Sequence, residues 1–126
     1  MLLNDFFTIT DTESSASEIW VELSINANHK IFEGHFPNQP VVPGVCMMQM
    51  VKEIVEKVLE KETNLLRADE MKFLAIIDPQ VNNRIQATIA YVINEDEQIK
   101  VTGSLYKDEL VHFKFKGLFT FQVPHS

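Results

Sequence analysis

The stretch from Gly44 to Lys61 constrains the fold of this 126-residue chain more than any other. It contains no glycine or proline after its first residue, and its apolar side chains recur at the spacing of a helix. These apolar positions are Val45, Met48, Val51, Val55 and Leu59. The first half, VCMMQMV, is apolar almost all round, whereas the second half carries six charged residues. We therefore predict one long helix that begins inside the core and ends in solvent.

Apolar and polar residues alternate on both sides of this helix, which predicts half-buried strands. The alternating segments are 19–25, 85–93, 99–105 and 111–121, and a more uniformly apolar strand from Met71 to Ile77 stops at Asp78-Pro79. The tetrapeptide KDEL at 107–110 is interpreted as a hairpin turn. A helix that is apolar on every side must be covered on every side. The predicted fold is therefore α+β, with a curved antiparallel sheet of five or six strands wrapped round a long central helix.

Composition limits the remaining possibilities. The chain is 45% apolar, enough for one ordinary core, so we expect a single domain over residues 1–126. A net charge of -7 argues against a nucleic-acid partner. No apolar run approaches the roughly 18 residues of a membrane span, and no secretory signal is evident, so we expect no membrane association and a cytoplasmic location. Cys46 is the only cysteine, which excludes an intrachain disulfide and leaves a cysteine zinc site unsupported.

The prolines concentrate immediately before the helix, in GHFPNQPVVPGVCMMQM at residues 34–50. Prolines fix φ and hold the preceding residues extended, so this loop should be stiff enough to fix the imidazole of His35. At Gly44 a ligand could approach the backbone closely, where the first amides of the helix have no intrahelical partner. Such donors suit an oxygen that develops negative charge, for example the carbonyl oxygen of a polarised thioester.

This segment resembles the signature of the β-hydroxyacyl-acyl-carrier-protein dehydratases: His-Phe-Pro, two variable residues, Pro, two apolar residues, Pro-Gly, and then a helix. The matching residues are His35, Phe36, Pro37, Pro40, Val41, Val42, Pro43, Gly44 and Val45. The resemblance implies a hotdog fold. It also implies dehydration of 3-hydroxyacyl thioesters, carried by acyl carrier protein or coenzyme A, to trans-2-enoyl thioesters in fatty-acid, polyene or related lipid biosynthesis. No cofactor is implied beyond the phosphopantetheine that arrives with the substrate.

The resemblance also assigns roles to individual residues. His35 would be the base, and the amides of Gly44 and Val45 would bind the thioester carbonyl oxygen. Phe36, Pro37, Pro40, Val41 and Pro43 would form the supporting loop. In the family a carboxylate fourteen residues after the histidine protonates the leaving hydroxyl across a dimer interface, and here that position is Gln49. An amide donates hydrogen bonds but cannot serve as a proton reservoir.

Three explanations of Gln49 remain open. His35 could carry out both proton transfers while Gln49 orients the hydroxyl or a water, which we favour; another carboxylate could substitute; or a related subunit could carry the acid. Glu53 lies one turn beyond Gln49 on the same face and could approach the site, but its spacing from Lys57 is equally that of a solvated ion pair, which is the interpretation we favour. We accordingly expect a homodimer or higher oligomer, with a heterodimer as the alternative.

Two other functions compete with the dehydratase. One is a hotdog thioesterase, and the other is a catalytically impaired acyl-binding or partner subunit. An acidic carrier protein would dock on some of the basic residues Lys30, Lys72, Arg84, Lys107, Lys114 and Lys116.

The remaining sulfur and imidazole side chains receive structural interpretations. We interpret Cys46 as core packing, and the methionines Met47, Met48 and Met50 first of all as core filler, although they could also line an acyl channel. No metal site is predicted, because His29, His112 and His125 show no ligand-like spacing.

Overall fold

The computed structural model describes residues 1–33 and 40–122. Its elements, in chain order, are β1 (Phe7–Ser14), β2 (Glu18–Ile25), a short 3₁₀ helix (Lys30–Phe32), α1 (Gly44–Leu59), β3 (Thr63–Phe73), β4 (Arg84–Ile93), β5 (Gln98–Lys107) and β6 (Leu110–Phe121). The α+β class is as predicted, and the strand count is the upper of the two expected values.

All six strands form one antiparallel sheet in the order β1-β2-β4-β5-β6-β3. The chain leaves the sheet after β2, passes through α1, and returns at the opposite edge as β3. Strands β1 and β3 are therefore the two edges, and α1 crosses one face of the sheet.

The predicted alternation holds in the central strands. In β2, Ile19, Val21, Leu23 and Ile25 are buried while the residues between them are more exposed. The helix contributes Met50, Val51 and Ile54 to the same core, all fully buried. Burying one such side chain stabilises a fold by roughly 1.5–3 kcal/mol, so the contact between helix and sheet contributes substantially to stability.

The edges of the sheet differ from the prediction. β3 begins at Thr63 and ends at Phe73, so the strand predicted over Met71–Ile77 was placed too late. Ten of its eleven residues are partly or fully exposed, and two register shifts interrupt its pairing with β6. A strand of this kind has no apolar alternation to detect. For the same reason β1, whose only buried residue is Phe7, was not predicted.

Two local predictions can also be compared with the structure. The KDEL segment forms the expected turn, because Lys107 ends β5, Leu110 begins β6, and Asp108 between them has a φ of 52°. The helix ends at Leu59 rather than Lys61, since Glu60 adopts the left-handed conformation with a φ of 56°.

The sheet covers only one side of α1. At the start of the helix Val45 is 76% exposed, although the sequence there is apolar almost all round. The covering of this outer side by a second copy remains a prediction.

Candidate active site

The loop that enters α1 is held by the segment that follows β3. Pro40 and Val42 are buried, and the Val42 amide donates to the carbonyl oxygen of Ile77 at 2.9 Å. Pro43 caps the helix in an extended conformation, with φ -61° and ψ 146°. Proline has no backbone N–H, so at this point it fixes the direction in which the chain enters the helix without leaving an amide donor unpaired.

The predicted base, His35, lies outside the described residues, as do Phe36 and Pro37 of the supporting loop. Their roles therefore remain predictions. Of the other loop residues, Val41 and Pro43 are half-buried.

The first turn of α1 carries the predicted carbonyl-binding amides. The amides of Cys46 and Met47 bond to the carbonyl oxygen of Pro43, at 3.0 and 3.2 Å. Within residues 1–33 and 40–122 no acceptor is found for the amides of Gly44 and Val45. These two donors match the pair that the resemblance assigns to the thioester carbonyl, and their use in binding stays a prediction.

The close approach that Gly44 permits is made by Phe73 at the end of β3. A Cβ atom at position 44 would lie 2.8 Å from Cε1 of the Phe73 ring. The ring is itself stacked on Phe113, with 5.1 Å between centroids. The Phe73 ring, stacked on Phe113, therefore packs against the start of the helix. This contact was not predicted from the sequence.

Gln49 and Glu53 form a hydrogen-bonded pair on α1. Nε2 of Gln49 donates to Oε2 of Glu53 at 2.9 Å, and the backbone amides of Leu2 and Leu3 donate to the same carboxylate. Gln49 is half-buried, and both side chains border a cavity of about 340 Å³ beside the N-terminal segment.

The predicted ion pair between Glu53 and Lys57 is wrong. Glu53 is only 1% exposed, and the pair that does form at four-residue spacing joins Lys52 to Glu56, with 3.3 Å between Nζ and Oε2. The reason is that the amides of Leu2 and Leu3, which need acceptors once they are covered, lie against this side of the helix.

The structure confirms the interpretation of Cys46 as a core residue. The side chain is buried among core residues, and burial raises the pKa of the thiol above its ordinary value. A helix start can instead lower the pKa of an exposed cysteine, so this thiol is not an activated nucleophile. Met47 and Met50 are buried in the core, and Met48 is half-buried.

His112 is buried although its position in β6 predicts an outward side chain. A register shift opposite Leu105 and Tyr106 makes it the extra residue of a bulge, which turns its ring inward. Nδ1 lies 3.3 Å from the carbonyl oxygen of Ala75, and Nε2 has no partner within the described part of the chain. His29 has a capping role, since its Nδ1 accepts from the Ile31 amide.

Three of the six candidate docking residues converge. Lys72, Lys114 and Lys116 line one groove of about 460 Å³ on the face of the sheet away from α1. Glu70 lies among them, and a hydrogen bond from Lys72, with weaker attraction from Lys116 and Lys114, holds the pKa of its carboxyl below the ordinary value.

Within residues 1–33 and 40–122, no three histidine, cysteine or acidic side chains come together in a way that could hold a metal ion. No helix in these ranges has the length and apolar character that a bilayer crossing needs.

A six-stranded antiparallel sheet in this order, with a single long helix across one face, defines a hotdog-fold domain. The chain belongs to the ApeI-like dehydratase family, whose model, described as ApeI dehydratase, matches residues 11–116. This confirms the resemblance found at the proline-rich motif.

Individual proteins are similar to this chain in sequence or in fold. A 3-hydroxyacyl-(acyl-carrier-protein) dehydratase FabZ from Rickettsia bellii is 32% identical over an alignment of 94 residues, with a coverage of 65% of this chain and 65% of the relative, so the chain spans slightly less than two thirds of that relative's length. The dehydratase heterocomplex ApeI:P from Xenorhabdus doucetiae has a TM-score of 0.68 at 21% identity, covering 88% of this chain and 96% of the other. A sigma28-regulated virulence protein from Campylobacter jejuni reaches 0.69 at 11% identity, covering 96% and 87%. Both structures share the fold.

Proposed function

We propose that this protein is a dehydratase that converts 3-hydroxyacyl thioesters, on acyl carrier protein or coenzyme A, to trans-2-enoyl thioesters. The observation that carries the proposal is the family match over residues 11–116, which includes the His-Phe-Pro motif and the helix start. The amides of Gly44 and Val45, for which residues 1–33 and 40–122 offer no acceptor, support it, because an enolate-like oxygen needs donors of this kind.

The reaction proceeds through one imidazole. His35 takes the proton from C2 while the thioester oxygen is bound by the amides of Gly44 and Val45. The C2 electron pair forms the double bond, the bond from C3 to the hydroxyl oxygen breaks, and that oxygen receives the proton from the imidazolium to leave as water. Gln49 of the partner subunit orients the hydroxyl. Phosphopantetheine enters as part of the substrate, and no other cofactor takes part.

A second subunit is part of the proposal. Strand β3 lies at the edge of the sheet formed by the described residues and exposes large apolar side chains, which in a monomer would be a template for association. They are Leu65, Leu66, Met71 and Phe73, followed by Leu74 and Ile76 just beyond the strand. A homodimer joined along β3 would cover them. A heterodimer with a related subunit is the alternative, and the structural relative from Xenorhabdus doucetiae is a heterocomplex by its own description.

We further propose that an acidic carrier protein docks on the groove lined by Lys72, Lys114 and Lys116, because charge complementarity favours encounter with an acidic partner. A cytoplasmic location fits this partner and the single cysteine.

The test supplies short 3-hydroxyacyl and enoyl thioesters to the purified protein and to two histidine variants. His35→Ala should lower the rate of dehydration or hydration about a hundred- to ten-thousand-fold, the usual contribution of a general base. The matched control is His29→Ala. The two ring nitrogens of His29 already contact the Ile31 amide and Asp5, so the His29→Ala protein should retain activity.

Other outcomes identify the competing functions. Release of a free thiol without interconversion of hydroxyacyl and enoyl forms would indicate a thioesterase. A well-folded protein that is inert alone but becomes active with a related subunit would be a partner subunit.

A further inference from the structure

The carboxylate of Glu53 is held from several directions. Its Oε1 accepts from the amides of Leu2 and Leu3, both at 2.9 Å, and its Oε2 accepts from Nε2 of Gln49 at 2.9 Å and from Leu2 at 3.0 Å. Since the side chain is almost fully buried, water does not compete for these bonds. The position of both carboxylate oxygens is therefore fixed by the N-terminal segment.

This carboxylate also determines which way the amide of Gln49 faces. The oxygen and nitrogen of a glutamine side chain have nearly the same shape, so the chemistry of the neighbour must distinguish them. A carboxylate accepts hydrogen bonds and does not donate them, so the amide group that faces it must be the NH₂. The carbonyl oxygen of Gln49 then lies on the side of the amide away from Glu53.

We propose that Glu53 is a positioning residue, which locks the Gln49 amide so that Gln49 presents an acceptor oxygen to the reacting hydroxyl. The inference rests on the proposed function and deepens it. It also excludes Glu53 as the substitute acid, because both of its oxygens are committed to donors of this chain.

An acceptor at this place suits elimination by a single imidazole. If the 3-hydroxyl donates its hydrogen to Oε1 of Gln49, a lone pair of the hydroxyl oxygen is left to receive the proton from His35. The C3–O bond then breaks and water departs with one hydrogen from the hydroxyl and one from C2. A donor in place of this acceptor would occupy one of the two lone pairs of the hydroxyl oxygen and make the other less basic towards the imidazolium.

A purely structural role for Glu53 is the alternative, and Glu56 provides the matched control. Glu56 lies on the same helix, and its Oε2 accepts from the amide of Thr63 at 2.6 Å, from Oγ1 of Thr63 at 3.3 Å, and from Nζ of Lys52 at 3.3 Å. It anchors the end of α1 to β3 as Glu53 anchors the N-terminal segment. It makes no hydrogen bond with Gln49, whose Nε2 donates to Glu53 instead.

The first experiment compares Glu53→Gln with Glu56→Gln in the full chain. Glu53→Gln keeps an oxygen for Leu2 and Leu3 but turns an NH₂ towards Gln49, so the Gln49 amide must invert and present its N–H groups instead. We expect kcat to fall about tenfold with KM changed less than about twofold, the effect of losing one oriented hydrogen bond. Glu56→Gln should lower the melting temperature to a similar extent and leave kcat unchanged.

The second experiment exchanges the two residues. Gln49→Glu alone places two carboxylates in contact, which should lower the melting temperature and raise the pKa of the introduced carboxyl. Gln49→Glu combined with Glu53→Gln restores a complementary pair and should recover most of that loss. The double variant also has an acid at position 49, so its pH–rate profile should gain a basic limb that the native protein lacks.

A third measurement does not depend on activity. In a ¹⁵N–¹H spectrum, the side-chain amide protons of Gln49 should show the downfield shift of a donor to a carboxylate, and Glu53→Gln should abolish it while Glu56→Gln does not. Unaltered amide resonances in Glu53→Gln, or an equal loss of kcat in the two single variants, would overturn the positioning role. If the native protein is inert on every thioester, the proposed function fails together with the acceptor role, while the spectrum still decides the pairing.

Discussion

The Phe73 ring disfavours any side chain at position 44. An alanine there would bring its Cβ to 2.8 Å from ring atom Cε1, closer than carbon atoms approach without displacement. Overpacking typically costs about 1–3 kcal/mol, and the half-exposed ring can move to relieve part of it. We expect Gly44→Ala to lower the free energy of unfolding by about 1 kcal/mol in urea titrations. The same change in a Phe73→Ala background should cost nothing, and an equal cost in both backgrounds would contradict this explanation.

The buried thiol of Cys46 makes a pH-dependent contribution to stability. Burial raises its pKa in the folded state, so the folded protein retains this proton at a pH where the unfolded chain has lost it. The contribution is complete below the ordinary thiol pKa of about 8.5 and declines as the pH rises through the folded value. We expect the difference in free energy of unfolding between the native protein and Cys46→Ala to shrink from pH 7 to pH 10. Parallel curves for the two proteins would show that the thiol does not titrate in this way.

Residue-level predictions succeeded where neighbours in sequence determine the environment. The packing of Cys46 follows from its apolar helical neighbours. The environment of Glu53 could not be predicted in this way, because its partners Leu2 and Leu3 are some fifty residues away in the sequence. The residues near Glu53 in sequence suggest only Lys57 as a partner. The His112 ring points inward because of a bulge, which places this residue on the opposite face from the one that strand alternation predicts. The bulge has no signal in the sequence.

At the scale of elements, burial explains which strands could be predicted. The central strands β2, β4 and β5 have one face on the core and alternate accordingly. The edge strands β1 and β3 have little buried surface in the isolated chain, so β1 was missed and β3 was misplaced. For β3 four of the exposed residues, Leu65, Leu66, Met71 and Phe73, are large and apolar, which is the basis for proposing that another subunit buries this edge.

This interpretation of β3 predicts the effect of a charge at its edge. Leu66 is about half exposed on β3, and Val92 is similarly exposed on β4. Leu66→Lys should weaken self-association at least about tenfold, because burying a leucine contributes roughly 1.5–3 kcal/mol and a buried ammonium costs still more. Val92→Lys should leave association unchanged. Sedimentation velocity over a range of concentrations measures the self-association of both variants. If neither variant dissociates, the interface lies elsewhere.

For the whole molecule, the net charge of -7 opposes contact with another acidic protein, so a carrier needs a local positive surface. Lys72 bonds to Glu70, with 3.0 Å between Nζ and Oε1. Lys114 and Lys116 have no carboxylate partner within residues 1–33 and 40–122. The groove therefore retains two unneutralised ammonium groups in a protein that is otherwise acidic.

Reversal of these two charges separates carrier binding from chemistry. Combining Lys114→Glu with Lys116→Glu should raise KM for carrier-linked substrates about tenfold or more, because rim charges act mainly on encounter, and should leave kcat unchanged. KM for coenzyme A thioesters should not change, since these do not need the docking surface. The control combines Arg84→Glu with Lys107→Glu, which alters the net charge equally at the other candidate positions. If both double variants raised KM alike, the total charge of the protein would be responsible; an effect confined to the first, and suppressed at high salt, identifies the groove as the place where the carrier docks.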